Sequence, residues 1–167
     1  NSLIPNFPLK LHGVYTKAQI QVAIGTSTLA HKSPAREGVE RNKLTNVEAM
    51  FVDIIKDRKE GSTTDYDDKA LSPYLFQWDT QNTTKPDSPI GQAYINQTQT
   101  MLLFVREQAS FPEDKTRTMG YVYLGRVTLS DWTYKNLGTR YQMQIRRNMV
   151  EPIPGSVMHF ARMREIA

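Results

Sequence analysis

The run Val47–Lys56 constrains the fold more than any other stretch of the chain. Phe51, Val52, Ile54 and Ile55 make it almost continuously apolar. A strand with one wet face alternates apolar and polar residues, whereas an unbroken apolar run belongs to a strand covered on both faces. The chain must therefore supply cover on two sides of this strand. Leu75–Trp78, Met101–Arg106, Gly120–Leu129 and Thr139–Arg147 also read as strands. In the last of these, Tyr141, Met143 and Ile145 alternate with Arg140, Gln142, Gln144 and Arg146. That period of two predicts one buried face and one polar, partly basic face.

Helices are short. Thr16 is an N-cap with Gln19 at the reciprocal capping-box position, which predicts a helix over Lys17–Ile24 ended by Gly25. Ser88 and Pro89 open a second helix over Ile90–Asn96. Ser156–Glu165 closes the chain as a third. Residues 1–15 read as extended, Thr26–Asn46 as a polar loop that straightens near Gly38–Val39, Asp57–Gly61 as a turn, and Gln108–Met119 as a long charged hairpin loop. Five or six strands with two or three short helices predict a strand-rich α+β fold, built as a curved antiparallel sheet or a partly open barrel.

A chain of 167 residues makes one ordinary domain, expected over 1–167. Its opening on Asn1 suggests a piece, from the C-terminal part, of a longer protein. With no cysteine, disulfides and zinc-thiolate sites are excluded. His12, His31 and His159 have no metal-ligand spacing, and no cofactor is expected. No apolar run approaches the roughly 18 residues of a membrane span, so the expected compartment is the cytoplasm. A net charge of +4 permits a polyanionic partner without requiring one.

The segment Leu71–Asn96 is the densest in recognition chemistry. An apolar run, Leu75, Phe76 and Trp78, passes directly into Gln77, Asp79, Gln81, Asn82, Thr83 and Thr84. Amide side chains match base edges bidentately, and hydroxyls reach base or phosphate. Leu75, Phe76 and Trp78 are expected in the core. Gln77, Asp79, Gln81, Thr83 and Thr84 form the expected contact set, against the plainer reading of a loop bonded to its own backbone. Lys32, Arg36, Arg41 and Lys43 are read as a phosphate-gripping arm, and Arg140 with Arg146 as a second stripe. A competing reading takes Asp57 and Lys59, with Glu48 or Asp53, as a metal nuclease site. Triplets of that spacing arise often by chance, and a solvated turn is the simpler account. The chain carries no glycine-rich phosphate loop and no Gly-x-Ser-x-Gly elbow.

Several blocks together resemble a known family. These are Leu11–Ile20, Arg36–Val39, Tyr66–Leu71, Ser72-Pro-Tyr-Leu-Phe-Gln-Trp78, Ser88-Pro-Ile-Gly-Gln-Ala-Tyr-Ile95 and Leu102–Glu107, with Tyr121–Gly125 and the Pro152–Pro154 ending. They are similar to the domain of unknown function that follows the helicase core in bacterial restriction-type DEAD/DEAH-box helicases. Related copies are joined to HNH or phospholipase-D-like nuclease modules. The resemblance implies a DNA-binding target-recognition module of a restriction or phage-defence protein, not itself an enzyme, with helicase and nuclease domains as partners. A base-flipping barrel of the SRA or PUA-like type, reading modified or flipped bases, fits the strand-rich pattern by analogy of fold. The alternative is a scaffold that couples helicase and nuclease parts through protein contacts.

Overall fold

The computed structural model describes residues 7–31, 33, 38–55, 67–80, 84–136, 138 and 141–162. In chain order the elements are β1 (Val14–Tyr15), α1 (Lys17–Ile24), β2 (Val39–Asn42), β3 (Val47–Asp53), β4 (Lys69–Ser72), β5 (Leu75–Asp79), α2 (Pro89–Asn96), β6 (Thr100–Arg106), β7 (Ser110–Phe111), β8 (Asp114–Thr118), β9 (Tyr121–Asn136), β10 (Tyr141–Met149) and α3 (Gly155–Ala161). One curved sheet runs β2-β3-β6-β9-β10-β5-β4, with β1 added on β9, while β7 and β8 form a separate hairpin. The result is a strand-rich fold on a curved sheet, one of the two forms the sequence implies.

The double burial expected of Val47–Lys56 is met by β3. Met50 and Val52 join the main core with Leu103, Phe76, Trp78, Met143 and Ile145. On the other face Ala49 and Phe51 pack with Leu102, Phe104, Tyr121 and Tyr123 under Ile20 and Ile24 of α1. The expectation of an antiparallel sheet needs one correction, because β3 and β6 are parallel. Both strands are covered on two faces, the setting parallel strands favour, and the connection between them passes through α2 as such crossovers require. The strand predicted over Gly120–Leu129 continues to Asn136. Its extension is held by pairing with β10 rather than by a core, so hydrophobicity did not announce it. A register shift opposite Gly125, at φ 91°, bends β9 and helps curl the sheet.

Two sequence blocks have local explanations. In Ser72-Pro-Tyr, the Ser72 hydroxyl accepts from the Tyr74 amide. The carbonyls of Pro73 and Tyr74 then take the amides of Ile153 and Met149. This turn ties the end of β10 and the approach to α3 onto β5. In Ser88-Pro-Ile-Gly-Gln, Ser88 caps α2 by accepting from the Gly91 amide and itself donates to the Lys85 carbonyl. Gln92 donates to the Pro86 carbonyl. A Cβ at Gly91 would overlap the Lys85 carbonyl, so glycine alone lets the preceding loop close over the helix start. These bonds fix α2 beside the starts of β3 and β6.

Candidate functional site

Two polar regions lie on opposite faces of the sheet. The outer one is built on β5, β10 and β9. Gln77 stands opposite Arg146, and Asp79 opposite Gln144, so all four side chains share the outward face. Gln77 and Asp79 are nonetheless buried, at 6% and 2% exposure, and their bonds are internal. Gln77 donates to the Asp67 backbone and carboxylate. Asp79 accepts from the Asp67 amide at 2.7 Å and pairs with Lys135 at 3.0 Å. Lys69 pairs with Asp67. Arg146 is held by Asp131, Thr133 and Gln144. Each cation here faces a carboxylate, and the 67–68 segment lies over the strand as a strap.

The inner region lies at the mouth of the barrel. A cavity of about 370 Å³ opens between the β2–β3 end of the sheet and α2. Arg41 and Lys43 line it from β2 and the turn beyond, Glu48 from β3, Gln99 from the approach to β6, Ile90 and Tyr94 from α2, and Thr84 from the segment before α2. Glu48 alternates with Met50 and Val52, so its carboxyl points inward, and it is 5% exposed. Gln99 donates its amide to it. Burial pushes the Glu48 pKa above the ordinary carboxylate value, against the opposing Gln99 bond and the charges of Arg41 and Arg147.

Arg147 belongs to the same neighbourhood. It follows Met143 and Ile145 at the next inward position of β10, opposite Phe76, and is 1% exposed. None of its three guanidinium nitrogens has a hydrogen-bond partner among the described residues. Its guanidinium carbon lies 6.0 Å from the centre of the Tyr94 ring. Burial pulls its pKa down to about 10, opposed by Tyr94 and Glu48. A buried guanidinium without hydrogen-bond partners is costly, and buried polar groups are almost always satisfied. The cavity thus holds an acid and an amide beside an aromatic ring, with Arg147 buried next to that ring and two exposed cations at the rim.

The sequence-based contact set therefore divides. Thr84 and Lys43 reach the cavity, whereas Gln77, Asp79 and Arg146 belong to the outer cluster. Gln81, Thr83, Lys32, Arg36 and Arg140 lie outside the described residues, as do Asp57 and Lys59. Glu48 and Asp53 do not converge. Glu48 faces the main core, while Asp53, on the opposite face of β3, makes a two-pronged pair with Arg106. No group of three His, Asp or Glu residues that could hold a metal occurs among the described residues. Sequence reasoning passed over Tyr94 and Gln99, and counted Arg147 only among scattered basic residues. For Arg147 there was a signal: an arginine at the fourth inward position of an alternating strand is out of pattern.

This arrangement defines a class, a small SRA-like barrel with a polar cavity at its mouth. The chain shares its fold with the SRA domain of SUVH5 in two crystal structures. One, a complex with methylated CHH DNA, matches at TM-score 0.54 and 9% identity, covering 88% of this chain and 94% of that one. The other, a complex with fully methylated CG DNA, matches at TM-score 0.53 and 10% identity, covering 91% and 99%. No curated protein matches in sequence. The chain belongs to the family described as a domain of unknown function, DUF3427, whose model matches residues 9–160. No helix among the described residues is long and apolar enough to cross a membrane.

Proposed function

We propose that this chain is a DNA-binding module that reads a modified base withdrawn from the double helix into the mouth cavity. The observation that carries the reading is the pair of buried groups Glu48 and Gln99 beside Tyr94 in the cavity lining, with the buried Arg147 next to that ring. The SUVH5 structures of this fold are complexes with methylated DNA, which supports DNA as the partner. The chemistry is suitable. A cavity of this volume suits a small planar ligand. Tyr94 offers a ring face, Glu48 and Gln99 meet an exocyclic amine or ring nitrogen, and the buried charge of Arg147 next to Tyr94 tunes them. Arg41 and Lys43, exposed at the rim, neutralise phosphates. Gln81, Thr83, Lys32, Arg36 and Arg140 extend the proposed contacts, and Gln77 and Asp79 support the strand behind them.

In this reading the module binds without breaking bonds. It acts in the cytoplasm as the target-recognition part of a restriction or phage-defence protein, whose helicase and nuclease domains do the chemistry. A gel-shift panel with plain, methylated, hydroxymethylated and single-stranded DNA at two salt concentrations tests it. The expected result is salt-sensitive binding that favours a modified duplex. Arg41→Ala and Lys43→Ala each weaken it across all sequences and lower the salt slope by about one. Arg146→Ala, already held by Asp131, changes it by less than about twofold. Absence of binding to every probe would falsify the proposal.

A further inference from the structure

Beyond Asp79 the sheet narrows to β9 and β10, and the inward face of this hairpin carries rings where the barrel carries core. Trp132 stands opposite Ile145, and Tyr134 opposite Met143, so both face the same side of the sheet as the main core while lying outside it. They are 37% and 36% exposed. The ring of Tyr141 lies 6.5 Å from that of Tyr134, tilted by 58°. The intervening residues, Asp131, Thr133 and Lys135, are polar and face outward, so the rings form a one-sided ladder. The ammonium of Lys85 sits 4.7 Å above the Tyr141 ring. Lys85 directly follows Thr84, which lines the mouth cavity. The ladder therefore adjoins the lip of that cavity and carries a cation beside it.

We infer that the Trp132–Tyr134–Tyr141 ladder stacks the unpaired base left in the duplex when its partner enters the cavity. The inference rests on the base-reading function proposed above. Withdrawing one base costs a few kcal/mol of pairing and stacking and leaves its opposite without a partner. Aromatic rings accept the face of any base, so this surface holds the orphan without reading it, and Lys85 offsets the charge of the neighbouring phosphate. The occupant is thus a nucleobase of the same DNA, which complements the cation at Tyr141 as an uncharged protein surface does not.

Equilibrium binding to two duplexes tests this, with one methylcytosine placed opposite guanine in the first and opposite an abasic residue in the second. Tyr134→Ala and Tyr141→Ala each weaken binding to the first by about tenfold and to the second by less than about twofold. Tyr134→Phe keeps the ring and keeps wild-type affinity, which separates stacking from loss of the hairpin. In the wild type, the emission of Trp132 is quenched by the first duplex and not by the second. The other tryptophan, Trp78, packs on Tyr94 of the cavity and responds alike to the two duplexes, which place the same base there. Equal losses on both duplexes overturn the ladder and leave base reading intact. Failure of the wild type to bind either duplex overturns both. A wild-type dimer that Tyr134→Ala dissociates in sedimentation assigns the rings to a second copy and overturns the inference too.

Discussion

The outer cluster on β5 and the inner set at the barrel mouth are made from the same kinds of side chain. Both contain buried carboxylates, buried amides and arginine. They differ in how far those groups are satisfied. In the outer cluster Gln77, Lys69, Lys135 and Arg146 all have partners, and one oxygen, Asp79 Oδ1, is left without one. Next to the cavity the Arg147 guanidinium has no hydrogen-bond partner among the described residues, while Glu48 and Gln99 in its lining bond each other. In the proposed reading, the difference separates polar groups that hold the fold together from polar groups kept available for a ligand. Density of polar residues in the sequence does not make that distinction; the bookkeeping of donors and acceptors does.

The largest effect expected from breaking this contrast lies on the outer side. Asp79→Ala removes the partner of Lys135 and the anchor of the 67–68 strap in one step. Lys135 is 28% exposed and can turn to water, so the cost lies below that of a fully buried pair, at about 1–3 kcal/mol. Urea denaturation should show a loss of that size, while the folded variant retains its affinity for the modified duplex. A loss below about 1 kcal/mol combined with lost binding would make the outer cluster the contact surface, and the contrast would be reversed.

Arg147→Met tests the inner side and carries the opposite sign. The substitution removes a buried charge that has no hydrogen bond and replaces it with an apolar chain of similar length. Replacing buried ionic groups by well-packed apolar ones is often neutral or stabilising by about 1–4 kcal/mol. Stability measured in urea should therefore hold or rise, while affinity for the modified duplex falls by about tenfold or more. If Arg147→Met unfolds the protein as Asp79→Ala weakens it, Arg147 is a structural ion and the mouth loses its claim.

Much of the fold was readable from the sequence because local rules govern it. The capping box of Thr16 and Gln19 closes as expected, and the Gly25 C-cap follows at φ 83°. Ser88 and Pro89 start α2 where they should. The apolar run of β3 implied its two packed faces. What escaped were features set by distant partners. β4 is a short edge strand of mixed composition whose identity comes from pairing with β5. Gln108–Met119 is the charged hairpin expected, but the pairing of β7 with β8 inside it was not legible. The parallel pairing of β3 with β6 depends on where α2 crosses. For the site, the rich segment Leu71–Asn96 drew attention to Gln77 and Asp79, yet it reaches the cavity through Thr84 and through Pro89, Ile90, Ala93 and Tyr94 of α2. Glu48, Gln99 and Arg147 come from three separate elements, and only the fold makes them neighbours.

The smallest effect, and the most specific to the mouth, is a pH dependence. Burial holds the Glu48 pKa above its ordinary value of 4.5. The folded protein therefore keeps a proton that the unfolded chain releases, and the stability this contributes is full below about pH 4.5. It is lost as pH rises through the higher folded-state value. Glu48→Gln has no such proton. The melting temperature of the wild type minus that of the variant should then be most positive near the ordinary pKa and should decline steadily toward neutral pH. Differential scanning calorimetry across that range measures it. The same variant keeps one acceptor and gains an amide donor, so binding to the modified duplex should lose its pH dependence as well as part of its strength. A temperature difference that stays flat or climbs with pH would show that Glu48 is charged in the folded state and already compensated. The mouth would then be as satisfied as the outer cluster, and Arg147 would have found its partner within the protein rather than in DNA.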